Sequence, residues 1–269
     1  MSRLGGAILA PEVQMPGLFD LTGRVALVTG GGQGIGYGLA QGLARHGADV
    51  AICGRRADQI ETAQRELQQT VERRVVGVPA DITDQTDRQR LVETVEKQLG
   101  PIDILINNAG TTMRCPAEDM PLEAFDRQMD VNVRAVFALT QQVARGMIAR
   151  RWGRVIMIAS LMSEISRPGV SAYTTSKGAI KQLTKSLATE WARYNVRVNA
   201  IGPGYIATPL TQPLRDDEKL NEWVLSRTPV GRWGRPEDLV GAAVFLASEA
   251  SEFVAGQVLY VDGGFLIGS

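Results

Sequence analysis

The sequence has 269 residues, enough for one large domain with a substantial core, and it shows no internal repeat. Lysine plus arginine and aspartate plus glutamate both number 29, so no excess of basic charge exists to attract nucleic acid or an anionic membrane. Two cysteines, Cys53 and Cys115, are too few for a disulfide framework and indicate a reducing compartment, the cytoplasm.

The first residues look unlike a targeting segment. Residues 1–17 contain one arginine and a short apolar patch, 7–10, which is followed by Pro11 and Pro16. A signal peptide would need a longer apolar stretch, so we predict a mobile arm over 1–17 and a single domain over 18–269. The longest charge-free run holds seven glycines and therefore cannot cross a membrane.

A glycine-rich turn lies between the first predicted strand, 24–29, and a helical stretch that ends near His46. The turn reads GGGQGIG from Gly30 to Gly36. Strand, glycine turn and helix form a phosphate-binding arrangement, because glycines let the backbone approach and the N–H groups of a helix start favour anions. Neither G-x-G-x-x-G nor a P-loop pattern fits. With Thr29 the spacing is T-G-x-x-x-G-x-G, which resembles that of the short-chain dehydrogenase/reductase family.

The same resemblance predicts which residues of the turn contact a nicotinamide dinucleotide. They are Gly30, Gln33, Gly34, Ile35 and Gly36. After the second apolar run, Gly54 occupies the position where dinucleotide folds place an acid on the ribose 2′-hydroxyl. Arg55 and Arg56 follow and suit a 2′-phosphate, which favours NADP over NAD, although Gln33 stands where NADP-preferring members often carry a basic residue. The alternative is a solvated helix start in which these arginines pair with Asp58.

Two further matches to the family follow the third and fourth apolar runs, 75–78 and 102–106. Asp81 and Ile82 match the pair beside the adenine, although Asp81 could equally cap its own loop. The second match is a tetrapeptide whose small residues leave room for the cofactor: Asn107, Asn108, Ala109 and Gly110. Strand followed by helix, four times over, predicts a parallel doubly wound sheet. The resemblance implies an α/β, three-layer Rossmann fold with seven strands.

The segment SAYTTSK, 171–177, opens a helix on which Tyr173 and Lys177 share one face. A neighbouring cation favours a phenolate, so this tyrosine could exchange a proton with an alcohol or carbonyl oxygen without histidine. Ser160 ends the fifth run 13 residues earlier. The resemblance implies that Tyr173 is the acid or base, that Lys177 lowers its pKa and holds the ribose, and that Ser160 orients the substrate oxygen. It also implies that Asn132 holds a water in a proton relay, a helix kink being the alternative.

The end of the chain supplies a loop, a lid and the last strand. A sixth run, 196–201, precedes a loop that resembles the one covering the nicotinamide in this family, with contacts from Pro203, Gly204, Ile206 and Thr208. Residues 210–228 mix apolar and charged residues as a mobile lid would, a solvated surface helix being the alternative. Residues 236–247 predict a helix and 257–261 a strand.

The substrate prediction rests on Arg114 and Arg167, which follow the fourth and fifth strands. A forked guanidinium binds a carboxylate well. The hydroxyl groups of such a substrate are expected to find partners in Thr111, Thr112, Ser163 and Glu164. The segments around these residues resemble the sugar-acid dehydrogenases of the family. We therefore predict a small polar substrate, gluconate or 5-ketogluconate, bound by Arg114, Ser160, Arg167 and Tyr173.

Two other functions stay open on the sequence. A 3-oxoacyl-carrier-protein reductase shares the catalytic residues, and it would need an apolar channel and a basic docking patch such as Arg150, Arg151 and Arg154. A nucleotide sensor without turnover would have no use for a tuned phenol. One histidine, His46, excludes a Ser-His-Asp hydrolase and, with two separated cysteines, a zinc site. The family usually forms homotetramers, and neither nucleic acid nor a membrane is expected as a partner.

Overall fold

The strands of this protein form one sheet in the computed structural model, which describes residues 17–268. The strands are Val25–Thr29 (β1), Asp49–Gly54 (β2), Val75–Pro79 (β3), Ile104–Asn107 (β4), Gly153–Ile158 (β5), Val196–Pro203 (β6) and Val258–Val261 (β7). All seven pair in parallel, in the order β3-β2-β1-β4-β5-β6-β7, which confirms the predicted doubly wound sheet. The predicted arm lies outside the described residues apart from Gly17.

Helices cover both faces of the sheet. They are Gly34–Arg45 (α1), Ala57–Thr70 (α2), Gln85–Gln98 (α3), Leu122–Met129 (α4), Ala135–Arg150 (α5), Ser171–Trp191 (α6), Gln212–Arg215 (α7), Glu218–Arg227 (α8) and Val240–Ala247 (α9). Leu27 of β1 packs in a core with residues of α3, α5 and α6. Its neighbours Ala26 and Val28 pack in a second core with α1, α2 and α9. This alternation along a strand buried on both faces confirms the three-layer Rossmann fold.

The strand order creates a crevice at the carboxyl ends of β1 and β4. β1 pairs with β2 on one side and β4 on the other, so the chain first builds outward to β3 and then returns across β1. The loops after β1 and β4 therefore leave in opposite directions. In open parallel sheets ligands bind at such a reversal.

Two predicted segments differ in detail from the observed structure. The helix expected over 236–247 begins as a 3₁₀ turn, Pro236–Leu239, and becomes α-helical only at Val240. The segment 210–228, expected to form a lid, contains two short helices, α7 and α8, rather than one. Among residues 17–268 no helix has the length and apolar character needed to span a membrane.

Candidate active site

A hydrogen-bond network joins the carboxyl ends of β1 and β4. The hydroxyl of Thr29 accepts from the backbone N–H groups of Asn108 and Ala109 at 3.0 and 2.9 Å. The Asn108 side chain donates to the carbonyls of Thr29 and Gly30 at 2.9 and 3.1 Å. Asn108 thus does more than leave room for a cofactor, because its amide holds the glycine turn against β4. Gly110, the last of the tetrapeptide, lies close to Asn132.

The glycine turn meets the requirements of a pyrophosphate site. Gly34 has φ of +58°, a conformation that disfavours side chains. A Cβ on Gly36 would lie 2.5 Å from the Asn108 amide nitrogen and closer still to the carbonyl oxygen of Gly30. No side chain caps the start of α1 and its first turn holds no acid, so its N–H groups can serve an anion. Gln33 and Ile35 lie on this turn as predicted.

Arg55 and Arg56 are exposed between β2 and α2, beside the glycine turn. Arg56 donates to Gln59 at 2.7 Å, and Gln59 donates to Gln33 at 2.6 Å. The alternative pairing with Asp58 is replaced by this chain of polar contacts. Gln59 was missed by the sequence analysis, although its place three residues after Arg56 on a helix makes it a natural neighbour. Arg56 is thus linked through Gln59 to the glycine turn, and a contact of either arginine with a 2′-phosphate stays a prediction.

Asp81 and Ile82 follow β3 at the same edge of the sheet. One carboxylate oxygen of Asp81 accepts from the N–H and the hydroxyl of Thr83 at 2.9 and 2.7 Å. Ile82 is buried at 5% exposure. The loop-capping alternative for Asp81 is therefore present in the structure, and a contact of this residue with adenine stays a prediction.

The loop after β6 reaches the glycine turn from the opposite side of the crevice. A Cβ on Gly34 would lie 3.4 Å from the Thr208 side chain, so the two are neighbours. Thr208 is tied to Thr211 through its N–H at 3.0 Å, and Ile206 is buried at 4% exposure. Pro203 ends β6 and Gly204 lines the cavity described below. The glycine turn and the loop after β6 are therefore neighbours, as the predicted cofactor site requires.

Lys177 lies in the interior of α6. It is 7% exposed, and its Nζ donates to the carbonyl of Ile158 at 2.7 Å. Burial lowers the pKa of Lys177 to about 8. Its Nζ lies 5.6 Å from the centroid of the Tyr173 ring. The four-residue spacing therefore places both side chains in one region, as predicted.

The pKa of Tyr173 departs from the expectation. Burial raises it above the ordinary phenol value, outweighing the Ser160 hydroxyl, which lowers it, and Tyr205 opposes the smaller lowering by Arg114. Removal of the phenol from water dominates in this structure and Lys177 is held on a backbone carbonyl, so the lowering of this pKa by Lys177 stays a prediction. Tyr173 is consequently a proton donor at neutral pH.

Asn132 occupies a π-helical turn, Asp130–Arg134, between α4 and α5. Its Oδ1 accepts from the N–H of Thr111 at 2.8 Å, while its Nδ2 donates to the Thr111 carbonyl at 2.9 Å and to the Ser176 hydroxyl at 3.0 Å. The helix distortion considered as an alternative is therefore real, and single π turns often mark functional sites. Both polar atoms of the buried Asn132 amide therefore have hydrogen-bond partners. One partner, Ser176, directly precedes Lys177 in the sequence.

A cavity of about 120 Å³ lies beside Ser160 and Tyr173. Arg114 and Arg167 both line it, as do Thr112 and Tyr205. Burial lowers the pKa of Arg114, and the neighbouring Arg167 lowers it further. Two guanidinium groups thus converge on the space next to the tyrosine.

The cavity has aromatic and apolar walls as well. The Tyr205 hydroxyl accepts from Arg167 at 2.9 Å, and the Tyr205 ring meets Trp223 of α8 edge-on at a centroid distance of 6.0 Å. Leu210 and Leu214 of the predicted lid also line the cavity. Tyr205 was missed by the sequence analysis; its position just after β6, at the carboxyl edge of the sheet, was the available signal.

Three expected cavity residues have other partners. Ser163 donates to the Lys177 carbonyl at 3.0 Å, and Thr111 is held through its backbone by Asn132. Glu164 accepts from Lys181 and, at 2.6 Å, from Tyr260. Of the four expected hydroxyl or carboxylate partners only Thr112 lines the cavity. Within the described residues no group of three histidine, cysteine or acidic side chains could hold a metal ion.

Comparisons with known proteins agree with this arrangement. A family model described as enoyl-(acyl carrier protein) reductase matches residues 30–266. Gluconate 5-dehydrogenase of Gluconobacter oxydans (strain 621H) is 49% identical over 252 residues, covering 94% of this chain and 98% of the relative. A 2-dehydro-3-deoxy-D-gluconate 5-dehydrogenase of Formosa agariphila is 44% identical over 251 residues, covering 93% and 95%.

Solved structures also resemble the chain over most of its length. A gluconate 5-dehydrogenase from Burkholderia cenocepacia J2315, crystallised in complex with NADP and tartrate, superposes with a TM-score of 0.88 at 41% identity, covering 94% of this chain and 98% of that chain. These matches confirm the resemblance that began with the glycine turn and ended with the Tyr173 and Lys177 pair. The chain therefore belongs to the short-chain dehydrogenase/reductase family of NAD(P)-dependent oxidoreductases.

Proposed function

We propose that this enzyme interconverts gluconate and 5-ketogluconate, with NADP(H) favoured and NAD(H) possible. The observation that carries the proposal is the pair Arg114 and Arg167 in the cavity next to Ser160 and Tyr173. Two guanidinium groups repel each other, and a carboxylate between them removes that repulsion while accepting forked hydrogen bonds. The relatives named for gluconate and for 2-dehydro-3-deoxy-D-gluconate, both six-carbon acids, support the same substrate class.

The protein's part in the reaction is proton transfer and orientation. When bound, the nicotinamide cofactor supplies or accepts the hydride. The Tyr173 hydroxyl gives its proton to the substrate oxygen during reduction and takes one back during oxidation. The Ser160 hydroxyl accepts from the N–H of Met162 at 3.1 Å and can donate its own hydrogen to the substrate oxygen once substrate is bound. A phenol whose pKa is raised starts as the donor, which suits ketone reduction at neutral pH.

Lys177 and Asn132 support that transfer from behind Tyr173. We assign Lys177 to the cofactor ribose and Asn132 to the relay that returns protons from solvent. Both side chains are buried, at 7% and 2% exposure, and burying a polar group costs free energy unless it is hydrogen-bonded. The Asn132 amide also holds the loop after β4, so this residue has a positioning role as well.

The cofactor residues follow from the crevice geometry. Gly30, Gly34 and Gly36 provide the close approach for the pyrophosphate, and Arg55 and Arg56 stand where the 2′-phosphate would lie. The remaining contacts are assigned to Gln33, Ile35, Asp81, Ile82, Asn108, Ala109, Gly110, Pro203, Gly204, Ile206 and Thr208. The NADP complex of the Burkholderia cenocepacia relative supports the preference.

A carrier-protein reductase is the second candidate, because the matching family model is described as an enoyl-(acyl carrier protein) reductase. The docking patch suggested for it loses one of its three arginines, because Arg154 is fully buried and pairs with Glu249 at 3.1 Å. Arg150 donates to the Ile102 carbonyl at 2.7 Å. An acyl chain in the cavity would also desolvate two guanidinium groups without pairing them. These contacts favour the sugar acid.

The deciding experiment is a substrate panel run with both cofactors. It contains gluconate, 5-ketogluconate, 2-dehydro-3-deoxy-D-gluconate, other aldonates, polyols and acetoacetyl thioesters. We expect gluconate or 5-ketogluconate to have the highest kcat/KM. A thioester that wins by tenfold, about 1.4 kcal/mol in transition-state binding, replaces the proposal with the carrier-protein reductase. Binding of NADPH without turnover of any compound leaves the nucleotide sensor.

We further propose a homotetramer working in the cytoplasm, built from one domain over residues 18–269. Cys53 and Cys115 are both free thiols, as a reducing compartment favours. Phe137 of α5 is 39% exposed on a helix that members of this family use between subunits. The mass in solution, measured by light scattering, tests the assembly.

A further inference from the structure

The segment that carries Arg114 into the cavity is held from behind by two amides. Asn132 clamps the N–H and the carbonyl of Thr111. One helical turn earlier, Gln128 of α4 accepts from the N–H of Met113 at 3.0 Å. Positions four apart lie on the same side of a helix, so the two amides act together on one stretch of chain.

The contacts of this segment alternate along the chain. Thr111 and Met113 are bound to the helical amides, whereas Thr112 and Arg114 line the cavity. A period of two is that of extended backbone, in which successive side chains point to opposite faces. Fixing Thr111 and Met113 therefore also fixes the direction in which Arg114 projects.

Burial of the Gln128 side chain costs free energy that a purely structural role would not require. It is 1% exposed, and its Nε2 has no hydrogen-bond partner among the described residues. A leucine or methionine of similar volume would be buried there without leaving a donor unpaired. The Met113 N–H, however, would then lose its acceptor. Gln128 therefore contributes to the placement of the segment that carries Met113 rather than to packing.

We infer that Gln128 is a positioning residue for substrate specificity: through the N–H of Met113 it sets the Arg114 guanidinium for the substrate carboxylate. The inference rests on the proposed function, since it takes Arg114 as the carboxylate-binding group. It predicts that Gln128 matters for the affinity of the acid and not for the chemical step. The effect should disappear when Arg114 has already been removed.

The test is a double-mutant cycle on Gln128→Met and Arg114→Ala, with KM and kcat for gluconate as the readout. We expect Gln128→Met to raise KM at least tenfold while kcat changes less than threefold. In the Arg114→Ala background the same change should alter KM less than twofold. Gln89→Met, the same substitution at an exposed position on α3, should leave both constants unchanged.

Binding of NADPH, followed by its fluorescence, reports on the fold independently of activity and should be unchanged in all variants. If Gln128→Met does not fold, Gln128→Asn makes the same test, because it withdraws the amide by one methylene. An unchanged KM in the Gln128 variant, or an equal rise in both backgrounds, overturns the inference. If Arg114→Ala itself leaves KM for gluconate unchanged, the proposed carboxylate site falls and the inference falls with it.

Discussion

The cofactor side and the substrate side of the cleft are built in different ways. The proposed cofactor side has at its centre a backbone cradle, the glycine turn between β1 and α1. The substrate side consists of side chains from separate loops, with Arg114, Ser160 and Tyr205 following three different strands. One side depends on how closely backbones approach, and the other on which side chains meet.

This difference predicts how each side responds to change. A backbone cradle fails as soon as a Cβ enters it, as the space around Gly36 indicates. A wall of side chains can exchange one residue for another and so change the substrate while the chemistry stays. Tyr173 stands where the two sides meet, and its replacement should have the largest effect.

Tyr173→Phe should lower kcat at least ~100-fold and leave NADPH affinity nearly unchanged, because only the proton donor is lost. Steady-state kinetics and NADPH titration measure the two quantities. Tyr194→Phe, the same change away from the cleft, is the control and should behave as wild type. Turnover near the wild-type level in Tyr173→Phe would remove the tyrosine from the mechanism.

Gly36→Ala should weaken NADPH binding by about 30-fold, since the new methyl group would collide with backbone and with the Asn108 amide. Gly241→Ala on α9 is the matched control, because nothing lies within 4 Å of its added Cβ. The control should bind NADPH normally and raise the unfolding free energy by about 0.5 kcal/mol. Normal NADPH affinity in Gly36→Ala would contradict a backbone-built cradle.

Oxidation of the alcohol should accelerate with pH, because Tyr173 must lose its proton before it can act as a base. Its pKa is raised by burial, so the phenol is protonated at neutral pH and the active fraction grows with alkalinity. We expect kcat/KM for oxidation to rise about tenfold per pH unit from pH 7. Reduction, which uses the protonated phenol, should show no such rise. A flat oxidation profile would mean that the phenol is already ionised.

The double replacement of Arg55 and Arg56 by alanine tests the part of the cofactor side that does use side chains. KM for NADP should rise about tenfold and KM for NAD less than twofold, since only NADP carries the 2′-phosphate. Arg65→Ala, further along α2, is the control. Equal effects on both cofactors would show that the two arginines are merely solvated.

The sequence by itself determined the sheet and the cofactor crevice. Both follow from local patterns: apolar runs that end in small or polar residues, a glycine turn, and the four-residue spacing of Tyr173 and Lys177. Because parallel strands bring their carboxyl ends to one edge, residues that follow different strands can be assigned to one site without coordinates. Arg114 and Arg167, which follow the fourth and fifth strands, line one cavity in the structure.

Only the tertiary structure decided the properties that depend on burial and on partners remote in sequence. It placed Arg154 inside the protein, turned Glu164 toward Lys181 and Tyr260, and brought Tyr205 and Gln128 to the substrate side. It also determined that burial raises the pKa of Tyr173, because desolvation of a phenol depends on everything packed around it. Spacing along a helix shows which side chains can meet. The free energy of ionising one of them depends on the atoms packed around it, and only the fold determines those.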